Sequence, residues 1–561
     1  MAKIAPHPTR SLAIGSACLG GACLALGAAS GQLGPALFGL VFVGYGAFLG
    51  QVGPTTQVAN LAAAAINRGD IEEARAFLAQ ARARRSLAAV KRLLDSHESE
   101  MAWREGDLAS ARRFADIALA RKDLLPLQRE QHRGHVHALR SIACAAAGDD
   151  AAAEESIAAV RTNTRASAGA LARAELAFAV ILARRGDLDS LHRHLAKHHV
   201  LLCESLEPRG RALHRALRRM AAVRSSSAYR VPVKQESTAR VGTTRSWMAR
   251  VFPQGEGLVD LDDATPPEHA LAAPNEAQPM APMPTTPSVK PRLGRALVLW
   301  VVLMVALVAI WNFFAIPGDP GRPAPPHELD FGFGFFVMFV VFAGLLWFVI
   351  GRNRRKQLVL EEASRALLSG ELDRAETLAR TLREDQNRFF SATSSLVLAG
   401  IFERRGDVPA ALAECERGIA QLGGIARASA SDVLLPQLVA TRAHLFGALG
   451  REAESEGELA RLARDFPAFP YAAGWVLRTR LLRAVRRGDL VEARALAKAR
   501  GDVAVGAYVE LVADMALVEE SEDRDERMAA IREDLALMPE LERWLRAVLP
   551  GYLEHALPRR S

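Results

Sequence analysis

Asn67-Arg68-Gly69-Asp70-Ile71-Glu72-Glu73-Ala74 is the stretch whose reading decides the fold. Glycine readily takes the left-handed conformation that closes a helix. An aspartate beside it can accept from the free amides at the start of a following helix. In Asp70-Ile71-Glu72-Glu73 the spacing also fits a capping box, in which two side chains satisfy each other's backbone amides. Ala74, five residues after the glycine, lets the second helix lie close to the first, and Ala62, seven residues before it, supplies the matching small side chain. The stretch therefore predicts two helices joined by a tight turn: a helical hairpin.

The pattern recurs. Gly106-Asp107 with Ala111 and Gly148-Asp149 with Ala153 follow, then Gly370-Glu371 with Ala375, Gly406-Asp407 with Ala411, and Gly488-Asp489 with Ala493. Gly186-Asp187 and Gly450-Arg451 are weaker copies without the alanine. A small residue stands seven before the glycine in seven of the eight cases, Leu481 being the exception. The glycines are spaced 37, 42 and 38 residues apart in the first set and 36, 44 and 38 in the second. The sets are related by offsets of 301, 300, 302 and 302 residues, which identifies one unit duplicated within the chain.

Helix-pair solenoids repeat every ~34–47 residues. The small residue, the Gly-Asp turn and the alanine together resemble the tetratricopeptide repeat family over roughly residues 57–220 and 355–520. The periods are longer than that family's 34 residues, and the tryptophan of its first helix is missing. The resemblance implies stacked hairpins whose first helices line a concave, protein-binding surface. Arg68, Arg104, Arg184, Arg404 and Arg486, in the last turns of first helices, are then candidates for pairing with carboxylates of a bound peptide. Without a peptide, the same arginines complement the C-terminal ends of their helices, each by about 0.3–1 kcal/mol.

Between the repeats the composition changes. From Ser11 to Asn67 there is no Asp, Glu, Lys or Arg, and two apolar segments, 11–29 and 33–50, are each close to the ~20 residues that cross a bilayer. Two further uncharged segments, 296–316 and 331–350, flank a proline-rich loop. Basic flanks at Lys3, Arg10, Lys290, Arg292, Arg295, Arg352, Arg354, Arg355 and Lys356 put both termini and both arrays on the cytoplasmic side. The expected fold is thus all-α: a two-span membrane hairpin (1–53), a first helical array (54–224), a disordered linker (225–292), a second two-span hairpin (293–351), and a second array with C-terminal capping helices (352–561). The linker is rich in Pro, Ser and Thr. Its patch Trp247-Met248 with Val251-Phe252 reads either as a docking segment for a membrane or partner, or as a few apolar residues in a solvated chain.

Chemistry is hard to find. The 71 basic against 63 acidic residues leave a net charge of +8, small for this length and without the basic block expected of a nucleic-acid protein. Five cysteines, Cys18, Cys23, Cys144, Cys203 and Cys415, show no paired spacing, so no disulfide framework follows. His194 and His198 share a helix face, with His192 and His199 nearby, but no carboxylate or cysteine in the sequence pattern completes the three or four ligands of a zinc site. His132, His135 and His137 offer less. No metalloprotease helix, phosphate loop or nucleophile elbow is present.

The function expected is an integral scaffold of a bacterial inner membrane, not an enzyme and without cofactor or metal, that binds other proteins or peptides through its arrays and has scope to form homo-oligomers. Alternatives are a periplasmic or secreted repeat protein, if the first apolar segment is a cleaved signal peptide, and an accessory subunit of a membrane transport or secretion complex.

Overall fold

The computed structural model describes residues 55–67, 69–84, 88–121, 129–223, 244–255, 281–284, 353–422, 433–467, 469–499, 506–518 and 524–552, with a few isolated positions. Every regular element among them is a helix. The first array comprises α1 (55–67), α2 (Ile71–Arg82), α3 (Ala88–Glu105), α4 (Leu108–Ala120), α5 (Arg129–Ala147), α6 (Asp150–Thr162), α7 (Ala168–Arg184), α8 (Leu188–Ser205) and α9 (Pro208–Val223). A short α10 (Thr244–Val251) follows. The second array comprises α11 (353–368), α12 (Leu372–Arg380), α13 (Arg388–Arg404), α14 (Val408–Gln421), α15 (Leu434–Ala448), α16 (Glu452–Asp465), α17 (Ala472–Arg486) and α18 (Leu490–Ala499). It continues into α19 (Ala507–Val518), α20 (Arg524–Leu537) and α21 (Pro539–Val548).

Each array stacks four hairpins, and all eight turns are built alike. The glycine has φ between 72° and 93°. Its amide donates to the carbonyl three residues back, and the next amide donates to the carbonyl four residues before the glycine, as in Gly69 N–H to Ile66 and Asp70 N–H to Ala65. This double bond pattern is a Schellman motif, which satisfies carbonyls that a helix end otherwise leaves open. Asp70, Asp107, Asp149, Asp187, Asp407 and Asp489 each accept from the amide three residues on. Glu371 and Arg451, at the same position, make no such cap.

The small residues bring the paired helices together. All sixteen positions seven before and five after the glycines are at most 1 % exposed. The Ser99 hydroxyl donates to the Ala111 carbonyl (2.7 Å). At Gly450 the contact is reversed: Ser455, in place of the alanine, donates to the Ala443 carbonyl (2.8 Å). The two large exceptions face small partners by position, Leu191 with Ala179 and Leu481 with Ala493, so the volume between helices is kept near that of close packing. The stretches after the second hairpin, 121–128 and 422–433, are longer than those after the first (83–87, 381–387) or third (163–167, 466–471). The long 42- and 44-residue periods arise there in both arrays.

The arrays pack on each other. Glu204 of α8 pairs with Arg404 (2.8 Å), Arg211 of α9 with Glu510 (2.6 Å), and Arg218 with Glu533 (2.7 Å) and Asp534. At the other end Asn67 donates to the Pro470 carbonyl (3.2 Å), and Arg365 donates to Thr164 (2.6 Å). Val200 and Cys203 of the first array reach the hydrophobic core of the second.

Two expectations need correction. Among the described residues no helix is long and apolar enough to cross a membrane. The all-α class stands, but the transmembrane hairpins do not, and the integral inner-membrane location loses its structural basis with them. The longest described helices, α5, α3 and α8, are broken by charge: α8 alone carries Asp189, Arg193, Lys197 and Glu204. The segments at 11–29, 33–50, 296–316 and 331–350 lie outside the described residues, isolated positions of the first two apart. The linker is corrected at two stretches. Trp247 and Met248 of α10 are fully buried in the core of the first array, and residues 281–284 lie against the second.

Candidate functional site

Four of the five candidate groove arginines lie among the described residues; Arg68 does not. Arg104 donates to the Ile66 carbonyl (2.7 Å) and Arg184 to that of Ala145 (3.1 Å). Arg404 donates to Leu367 and Arg486 to Ala448. Each stands two residues before its own glycine and reaches back to the turn of the preceding hairpin. The first three bond the carbonyl that already accepts from the turn glycine's amide. The guanidinium thus completes a helix C-terminus, but the neighbour's and not its own. Arg404 also holds Glu204 across the seam, and Arg486 also donates to Val548 (3.0 Å) in the cap. The four join hairpin two to one and four to three in each array.

A different set of side chains does hold a peptide segment. In the third hairpin of the second array, Arg442 of α15 and Glu458 of α16 are both fully buried and 2.7 Å apart. Arg461, one turn on, shares the same carboxylate at 2.7 Å. Burial pushes the Glu458 carboxyl above its ordinary pKa against the pull of the two arginines. Two guanidiniums over one carboxylate leave donors to spare, and these meet the segment Ala281-Pro282-Met283-Pro284. Arg461 donates to the Ala281 carbonyl (2.7 Å), and Arg442 to the Pro282 carbonyl (3.3 Å) and the Met283 sulfur (3.5 Å). Ala281 is buried in the core of the array and Met283 packs against it.

The chemistry of recognition is plain. Prolines at 282 and 284 have no N–H and hold the chain, and the residues before them, in extended conformations. Such a chain offers mainly carbonyl acceptors, and arginine is donor only. Sequence reasoning placed neither Arg442 nor Arg461 in a site, because each reads as an ordinary charged position on an amphipathic helix. The missing signal was Glu458, a carboxylate at a position that the helix periodicity turns inward.

On the first array the linker docks as a helix. The Trp247 indole donates to the Trp103 carbonyl (2.7 Å), and the two rings meet edge to face at 5.1 Å. Trp103 in turn donates to Glu207 (2.9 Å). The contact is made by two indole rings, and the carboxylate behind them, Glu207, is paired with Arg173 (3.3 Å).

The histidine pair gains a carboxylate that the sequence pattern did not show. Glu175, on the preceding helix α7, lies 3.5 Å from His194 Nε2 and 3.9 Å from that of His198. Glu175 is already held by both nitrogens of the Arg161 fork (2.9 and 2.6 Å), and His194 Nε2 lies 3.0 Å from the Glu175 carbonyl oxygen. These groups satisfy each other as a polar network between α6, α7 and α8. His199, on the other side of α8, is buried beside Cys203 and His214.

No protein-family model, curated protein or solved structure matches the chain. What is established is that the described residues form packed helical pairs, of the kind a helical-repeat solenoid is made from.

Proposed function

We propose that the protein is a tetratricopeptide-like scaffold, without catalytic activity of its own, whose second array binds extended, proline-containing apolar segments of other proteins. The observation that carries this reading is the 281–284 segment on Arg442 and Arg461. The chain's own linker occupies the place that a partner's segment would take, and its chemistry describes the partner: carbonyl-rich, small or unbranched apolar side chains, few amide donors. The Gly-Asp turns with small residues at fixed offsets support the tetratricopeptide-like class for both arrays.

A tethered segment competes at an effective concentration of roughly millimolar, so a peptide added to the unaltered chain binds weakly. Ala281→Asp with Met283→Asp removes the competitor. A labelled peptide of residues 278–287 is expected to bind that variant by fluorescence anisotropy at least tenfold more tightly than the unaltered chain. Adding Arg461→Ala to the variant is expected to weaken the peptide about tenfold or more, the loss of one hydrogen bond to a charged donor at about 1.5–3 kcal/mol. Failure of the peptide to bind the freed groove sinks the proposal.

A further inference from the structure

Three ligand-type side chains meet where the arrays face each other. His199 and Cys203 lie one turn apart on α8, and His214 comes from α9. The Cys203 sulfur is 3.7 Å from His199 Nδ1 and 4.0 Å from His214 Nδ1, and one ligand atom of each residue lies within 4.8 Å of the others. A tetrahedral zinc ion, ~2.3 Å from sulfur and ~2.0–2.1 Å from nitrogen, sets its ligand atoms roughly 3.5 Å apart. The observed spacing needs only a small contraction.

Two further observations point to a cation. Both imidazoles are only 1 % exposed, and the buried Nε2 of His214 has no hydrogen-bond partner. Asp534, from α20 of the second array, puts Oδ1 3.5 Å from His199 Nε2. The Cys203 sulfur lies 3.6 Å from that same Nε2 and 3.7 Å from Nδ1, so a turn of the ring that gives Nδ1 to an ion leaves Nε2 for the carboxylate, the usual way in which a metal-bound imidazole is oriented. Around the cluster Arg211, Arg215 and Arg218 face Glu510, Asp514, Glu533 and Asp534.

We propose that His199, Cys203 and His214 bind one zinc-class divalent ion at the seam between the arrays, with Asp534 as the outer partner of His199. Thiolate and imidazole are the donors that zinc takes, and Cys203 and His214 line a cleft together with Arg211, Arg218, Glu510 and Met538. Binding replaces the Cys203 thiol proton, which leaves to solvent, one for each ion bound. Because Asp534 belongs to the other array, the ion also strengthens the contact between the two halves.

Cobalt(II) added to the chelator-treated full chain tests this. The expected result is one equivalent bound, with the visible bands of tetrahedral cobalt and a near-ultraviolet thiolate-to-cobalt band, both removed by zinc(II). Cys203→Ala is expected to abolish the thiolate band and Cys415→Ala to keep it. Asp534→Asn is expected to weaken binding about 10–100-fold, as other outer-shell changes do. No thiolate band in the unaltered chain, or one that survives Cys203→Ala, overturns the site.

Discussion

The two arrays share their turns and differ in what they hold. Arg140 and Arg442 each stand eight residues before the third glycine of their array, and each reaches the side chain eight residues after it. In the first array that side chain is Ser156, 2.7 Å from Arg140; in the second it is Glu458, 2.7 Å from Arg442. Arg140 is answered further by Asp116 (2.8 Å) and Glu155 (3.0 Å), all within its own array. Among the described residues Arg442 is in ion-pair contact with Glu458 alone, and Arg461, where the first array has Ala159, crowds the same carboxylate. A serine-to-glutamate difference and an alanine-to-arginine difference thus separate an internally satisfied hairpin from one that holds the chain's own 281–284 segment. The repeat supplies rigidity and leaves ligand choice to a few inward positions.

The sharpest way to break the comparison is to remove the side chain that differs. Glu458→Ala leaves two buried guanidiniums without their carboxylate and is expected to cost about 3–5 kcal/mol. Ser156→Ala removes one bond from an arginine that keeps others and is expected to cost about 0.5–1.5 kcal/mol. Chemical denaturation of both variants checks this. Equal losses would mean that Glu458 is no more than a second Ser156, and that the arginine pair has no separate role.

The second turns give a smaller contrast. Gly106 and Gly406 both have left-handed backbones, at φ 75° and 82°, so alanine brings about 1–2 kcal/mol of strain at either. A Cβ at Gly106 would first meet the Arg250 Nε at 3.3 Å, the end of a movable side chain. At Gly406 it would sit 2.6 Å from the Ala547 Cβ, fixed on the capping region. Gly406→Ala is therefore expected to cost about 1–3 kcal/mol more than Gly106→Ala, the usual range of overpacking. Thermal melts of the two variants measure the difference, and a larger loss at Gly106 reverses the assignment of which turn the cap presses on.

The same geometry explains what could be read in the residues beforehand. A Schellman turn needs a glycine and a cap needs an aspartate, so hairpins leave marks at fixed local offsets, and the duplication could be seen as four such marks in register. Ser455 escaped that reading because a hydroxyl can take the alanine's place by bonding a carbonyl across the pair. Long-range partners leave no local mark. Arg104 reaches Ile66 across 38 residues and Arg461 reaches Ala281 across 180, and nothing in the periodicity distinguishes these arginines from solvated ones. Glu175 and Asp534 were missed for the same reason, since each completes its histidine group from another helix. The docking of α10 was legible only as an apolar patch, because its burial depends on an indole contact with Trp103, 144 residues away.

The smallest expected effect is also the strictest test of equivalence. Ala111 and Ala411 are fully buried five residues after their glycines. Their surroundings differ in one respect. Ala111 faces Ser99, whose hydroxyl bonds the Ala111 carbonyl, whereas Ala411 faces Ala399, which has none to give. Replacing either alanine with leucine forces apart two packed helices at about 1–3 kcal/mol. In the first array the Ser99 bond lengthens as well, but the serine already bends its donor toward a carbonyl of the partner helix and can turn to its own. The extra loss is then a fraction of one neutral hydrogen bond, about 0.5 kcal/mol or less. Ala111→Leu and Ala411→Leu are thus expected to agree to within that margin in denaturant midpoint. A gap several times larger would mean that the two hairpins, alike in their turns, do not share a helix-to-helix distance.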